Sequence, residues 1–114
     1  MSLTPQHTIA ICFDKKHSDI AARRLEYLAA HLAYVENHLD MIFVAGPILD
    51  RDGETIIGSQ YIYNTADHET AISLFENDPY FKSDIWESVH LHPFYGAAGT
   101  AVGGLAFKNN SASS

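Results

Sequence analysis

Residues 18–39, SDIAARRLEYLAAHLAYVENHL, decide the fold. Leu25, Leu28, Leu32, Val35 and Leu39 recur at steps of three and four, which puts them on one side of an amphipathic helix and predicts that this side faces a core. Arg24, Tyr27, His31, Tyr34 and His38 repeat with the same spacing, rotated by roughly a quarter turn, so they form a second stripe at the margin of that core. A helix this long, carrying two aligned stripes, is the element against which the shorter segments must pack.

On the N-terminal side, Thr8 to Phe13 is a short Ile-rich run that reads as a strand, ended by Asp14-Lys15-Lys16. On the C-terminal side, Met41 to Ala45 reads as a second strand, with Gly46-Pro47 marking its end. Asp50-Arg51-Asp52-Gly53 has the composition of a hairpin tip, after which Ile56 to Tyr63 should return antiparallel to the second strand. Thr65 or Asp67 can cap another helix with Ala71, Ile72, Leu74 and Phe75 as its buried stripe, and Asn77-Asp78-Pro79 stops it. Proline suits the first helical position, so a short turn should follow through Lys82. Ile85 to Phe94 completes the set as a strand whose alternation places Ile85, Val89 and Leu91 on one face, and Trp86, Ser88, His90 and His92 on the other.

This order, β-α-β-β-α-β, predicts an α+β fold of the ferredoxin-like kind: a four-stranded antiparallel sheet with two helices on one face. The other sheet face would carry apolar and aromatic side chains in the open, and a second copy of the chain is the simplest cover for it, so a homodimer is expected. The domain should end near residue 95. From 96 to 114 the composition turns to Gly, Ala and Ser, the signature of a flexible extension, within which Val102 to Phe107 is apolar enough to dock, for example as a strand on a partner subunit.

The 114 residues suffice for one core, and 46% apolar with 18% charged residues fits a folded chain. A net charge of -7 with seven scattered Lys and Arg argues against nucleic acid as a partner. Cys12 has no second thiol, so neither a disulfide framework nor a cysteine-based zinc site can form, and it reads as a buried spectator. No basic segment leads into an apolar stretch at the N-terminus and no long apolar run occurs, so neither a membrane partner nor export is expected, and a cytoplasmic location follows by default.

Among residues able to carry chemistry, His31 stands first, because a histidine at a core margin can face a cleft where burial and a carboxylate partner set its protonation. The simpler alternative is a surface helix with boundary aromatics. Asp78 precedes a proline and is therefore a ready helix N-cap whatever else it does. His90 and His92 share a strand face and could chelate a metal only if a third ligand arrived; none is fixed at a matching spacing, so polar lining or exposure is the simpler reading and no metal is assigned. Gly58-Ser59 marks a place for close backbone approach, with a hydroxyl available to a ligand, and the Gly46 amide can also face one. No phosphate loop, nucleophile elbow or zinc-protease motif is present.

The ordered set His31-Leu32-Ala33-Tyr34, Ala45-Gly46-Pro47, Gly58-Ser59, Asp78-Pro79-Tyr80 and His92-Pro93-Phe94 resembles the YciI-like family over roughly residues 8 to 95. The resemblance implies a ferredoxin-like fold assembled as a dimeric α/β barrel, and a cleft holding a His-Asp dyad, which carries over onto His31 and Asp78 as catalytic residues. It also makes Ser59 a candidate pocket residue. Acid/base or elimination chemistry on small molecules, including loss of halide from ring compounds, is what the family suggests. The extension after Tyr95 lies beyond the family core, and His38, His90 and His92 are not part of its pattern.

These readings converge on a small-molecule enzyme of lyase or isomerase type that needs no cofactor. His31 would take a proton and Asp78 would orient and stabilise the imidazolium, in a pocket to which Ser59, Tyr34, Gly46 and Trp86 contribute, together with Tyr27 and Tyr61. The rival is a non-catalytic module that binds a metabolite in the same cleft, since one fold hosts many functions.

Overall fold

The computed structural model describes residues 3–108. Its elements run β1 (His7–Asp14), α1 (Ile20–Glu36), a 3-10 turn at Leu39–Met41, β2 (Ile42–Leu49), β3 (Ile56–Tyr63), α2 (His68–Glu76), α3 (Pro79–Lys82) and β4 (Trp86–Phe94). The strands form an antiparallel sheet in the order β2-β3-β1-β4, the ferredoxin-like arrangement that the element sequence predicts.

Cross-strand pairing fixes which side chains face the helices, because opposed residues share a face. Thr8, Ala10 and Cys12 of β1 oppose Tyr63, Tyr61 and Ser59 of β3, and all six are buried on the helical side. Ile9 opposes Ile62 and His92, while Ile11 opposes Gln60 and His90; these make up the middle of the other, uncovered face. Phe75 of α2 closes the core, stacked on Trp86 with ring centroids 5.1 Å apart. Gly58 is required by close approach, since a Cβ there would overlap the Cys12 carbonyl oxygen.

Local chemistry accounts for the boundaries. Asp67 caps α2 by accepting from the Thr70 amide at 3.0 Å. Asp50 and Gly53 close the β2–β3 hairpin, with Gly53 at φ +74°. Asp78 caps α3, with Pro79 in the first helical turn.

Four expectations change. The second strand does not stop at Gly46-Pro47 but continues to Leu49; β2 is an edge strand, so proline's missing N–H costs no ladder bond. Trp86 is not on the face of Ser88, His90 and His92. The register shifts between Phe13 and Asp14, a bulge at Glu87 reverses the alternation, and Trp86 opposes Asp14 on the helical side.

The third change concerns α1. Its leucine stripe does not face the core: Leu25 is 72% and Leu32 54% exposed, while Ile20 and Arg24 are the buried residues of the helix. The stripe of Arg24, Tyr27, His31 and Tyr34 points inward instead: Arg24, His31 and Tyr34 find hydrogen-bond partners on other elements, and Tyr27 packs against the core. Finally, the extension is not wholly irregular. Ala98–Gly99 (β5) pairs antiparallel with Gly104–Leu105 (β6) around a 3-10 turn at Thr100–Val102, so the apolar segment docks on its own chain. Gly99, Gly103 and Gly104 adopt positive φ there, which such a tight return needs. The flexible-tail reading of residues 109–114 lies outside the described residues.

Candidate active site

The site forms where α1 meets β3 and the start of α3. Asp78, 1% exposed, is held by its capping role: Oδ1 accepts from the Tyr80 amide at 2.9 Å. About three turns into α1, His31 projects toward it, with Nδ1 at 2.8 Å from Oδ1 and 3.0 Å from Oδ2. The Tyr61 hydroxyl donates to Oδ2 at 3.0 Å. An ionised carboxylate only accepts, and every group around Asp78 can donate, so Nδ1 carries a proton, and in the neutral imidazole Nε2 is the nitrogen with the lone pair. The imidazole is fixed by its neighbours: Tyr80 stacks on it at 3.8 Å between centroids and 6° between planes, and Tyr61 meets it edge-on at 6.3 Å. Burial, and then the charge of Asp78, push the Tyr61 phenol well above its ordinary range, so this group stays a donor.

A second polar cluster adjoins the first. Arg24, only 8% exposed, donates from Nε to Asp14 Oδ2 at 2.8 Å and from Nη2 to Asp14 Oδ1 at 2.7 Å. Nη2 also donates to Ser59 Oγ at 2.9 Å. Burial works against the guanidinium charge, but the hydrogen bonds and charge of Asp14 outweigh it, and the pKa of Arg24 rises. Because Ser59 Oγ accepts from Arg24, its own O–H is left to donate elsewhere. Arg24 also lies 5.3 Å from the centre of the Tyr80 ring, which links the two clusters.

A cavity of about 280 Å³ opens against both clusters, walled by His31, Ser59, Tyr61 and Tyr80 and by Ala45, Gly46 and Pro47 of the edge strand. His31, Ser59 and Gly46 are thus brought together on one cavity, with Asp78 buried in contact with His31. Three residues expected to line the pocket, Tyr27, Tyr34 and Trp86, are not among its walls, and Tyr27 packs against the core instead. The Tyr34 hydroxyl donates to the Leu74 carbonyl at 2.7 Å, tying α1 to α2, and Trp86 lies in the core as the bulge dictates. Among the described residues, Nε1 of Trp86 finds no hydrogen-bond partner.

Tyr61, expected as a pocket residue, is one of the walls, whereas Arg24, Asp14 and Tyr80 belong to the site without having been expected there as site residues. Two signals were available. Arg24 precedes His31 by seven positions, two helical turns, and so shares its face. Asp14 has the same strand parity as Ala10 and Cys12. His90 and His92 stack with centroids 6.4 Å apart on the uncovered sheet face, and among the described residues no group of three or more His, Cys, Asp or Glu could hold a metal ion.

Fold and site together define a small ferredoxin-like α+β domain with a buried carboxylate–imidazole pair at the edge of a cavity. Residues 8–95 match the YCII-related domain, and the chain belongs to that family. Among solved structures it is similar to 5-chloro-2-hydroxyhydroquinone dehydrochlorinase (TftG) from Burkholderia phenoliruptrix AC1100 in complex with 2,5-dihydroxybenzoquinone, with a TM-score of 0.68 and 25% identity. That likeness covers 83% of this chain and 97% of the other. No curated protein matches the chain. Among the described residues no helix is long and apolar enough to cross a membrane.

Proposed function

We propose that this chain is a cofactor-independent enzyme that removes a proton from a flat, oxygenated ring compound and eliminates a leaving group from it. The observation that carries this reading is the pairing of His31 Nδ1 with the buried Asp78 carboxylate, which leaves Nε2 as a positioned base on a cavity wall. Asp78 fixes the tautomer and stabilises the imidazolium that forms. Tyr61 and the Tyr80 amide keep the carboxylate in place.

Loss of HX from a ring suits this equipment. Nε2 takes a proton, the electron pair left behind becomes a double bond, and the halide departs with its bonding pair, so no oxidant or reductant is consumed. Negative charge that develops on a ring oxygen during this step would meet the Ser59 hydroxyl, whose oxygen Arg24 holds at the cavity wall, and the Gly46 backbone. The similarity to a dehydrochlorinase whose structure holds a dihydroxybenzoquinone supports this substrate class.

The uncovered sheet face, with Ile9, Ile11, Ile62 and the exposed Phe13 and Val44, supports a homodimer assembled through that face. The test combines both points. Chloride release from chlorinated hydroxyhydroquinones should fall at least about 100-fold in His31→Ala, while light scattering gives a dimeric mass for both proteins. Unchanged turnover in the variant would remove His31 from the chemistry. Tight binding of the ring compound without any conversion by the wild type would make the chain a binding module.

A further inference from the structure

The cavity against His31 is the smaller of two that share walls. Arg24, Leu28, Ile56 and Tyr80 line both, and beyond them lies a space of about 530 Å³ bounded on its apolar side by Ile20, Ala21 and Leu25. We propose that this second space is a ligand lobe that takes an apolar extension, an alkyl chain or a further ring, borne by the compound whose oxygenated ring sits against His31. This inference rests on the reading of the site given above and names the shape of its substrate.

Three observations point to an apolar extension rather than a separate ligand or a charged group. First, the two spaces adjoin at Arg24, Leu28, Ile56 and Tyr80, which places both within reach of one extended molecule. Second, most charged groups at the far lobe are paired with one another or with a neighbour, Arg24 with Asp14 and Lys15 with Asp84 at 2.8 Å, which leaves Glu54 and His17 as the other charged or basic side chains of its lining. What remains facing the space is mostly hydrocarbon. Third, the residues that would gain from being covered are the exposed leucines of α1, with Leu25 the most exposed of them. A compound limited to one ring fills the smaller cavity, against Leu28 and Leu32, and leaves Leu25 in water.

The test is binding to the full wild-type chain, by calorimetry, of 2,5-dihydroxybenzoquinone and its 3-alkyl derivatives from methyl to hexyl. The dissociation constant should tighten about threefold to fourfold per added methylene. Ala21→Trp, at an exposed helical position, places an indole in the lobe and should flatten the series. Leu25→Glu, also at an exposed position, should weaken the gradient through its charge.

A flat series in the wild type, binding by no member, or an undiminished gradient in both variants would overturn the proposal. So would a flat series together with a dimer that dissociates in Leu25→Glu, since a second copy would then cover the leucines. The outcome is independent of catalysis: a steep gradient without turnover keeps the lobe and removes the elimination reading, and turnover with a flat series does the reverse.

Discussion

The two stripes of α1 have the same period and opposite fates. Arg24, His31 and Tyr34 point inward, and each has a partner on another element: Asp14 at the end of β1, Asp78 ahead of α3, and the Leu74 carbonyl in α2. Leu25, Leu28 and Leu32 point outward along the two cavities and remain exposed. Burying a guanidinium or an imidazole is tolerable only with partners in place, so wherever such partners exist they fix the helix's rotation. Leucines impose no such condition. The difference teaches that the helix is seated by its polar contacts, and that its apolar side is left for whatever enters the cleft.

The largest effect should come from removing the anchor. Asp78→Ala deletes the cap of α3 and leaves the Tyr61 hydroxyl, the Tyr80 amide and His31 Nδ1 without an acceptor, which should cost about 3–5 kcal/mol. Asp78→Asn keeps an oxygen for the cap and should cost less. Urea unfolding followed by the fluorescence of Trp86, the single tryptophan, at fixed protein concentration measures both. A loss below about 1 kcal/mol in the alanine variant would mean that the polar stripe does not seat the helix.

Much of this was readable before the structure, and the gaps have physical causes. Strand and helix order followed from short Ile-rich runs and turn chemistry, and β3 begins and ends where Ile56 and Tyr63 suggested. The pairing of His31 with Asp78 was expected from the family resemblance, and their contact is seen at 2.8 Å. What could not be read was rotation and register. Periodicity places two stripes on a helix but does not say which one finds acceptors, because Asp14 and Asp78 are ten and 47 positions from their partners. Nor does alternation survive a bulge, so one extra residue at Glu87 moved Trp86 to the other face. The edge position of β2, which lets it continue through Pro47, is a property of the assembled sheet.

A middle-sized effect concerns the floor beneath the inward stripe. Burial, followed by the charge of Asp78, raises the pKa of Tyr63 above its ordinary 10.0, and burial pushes the Cys12 thiol up from 9.0 to about 12. In each case the folded state holds its proton more tightly than the unfolded state. The stability this represents is complete below the ordinary value and is lost as pH rises beyond it. Tyr63→Phe removes one such group, so relative to the wild type it should gain about 1.4 kcal/mol between neutral pH and one unit above 10.0. Unfolding curves at several alkaline pH values test this. Parallel losses in both proteins would show that the tyrosine is not shielded in the way its 2% exposure indicates.

The smallest effect belongs to the outward stripe, and its smallness is the point. Replacing a buried leucine with a polar residue costs several kcal/mol, whereas Leu25→Gln and Leu32→Gln should each change stability by no more than about 0.5 kcal/mol, because both side chains already meet water. Urea unfolding gives the number directly. A loss above about 2 kcal/mol would reverse the comparison, since only a covered leucine can contribute that much; the cover would then be a second copy of the chain. If the loss is small while the response to alkylated quinones changes, the leucines face the cleft without holding the fold together. Stability would then reside in the hydrogen-bonded stripe and ligand selection in the apolar one.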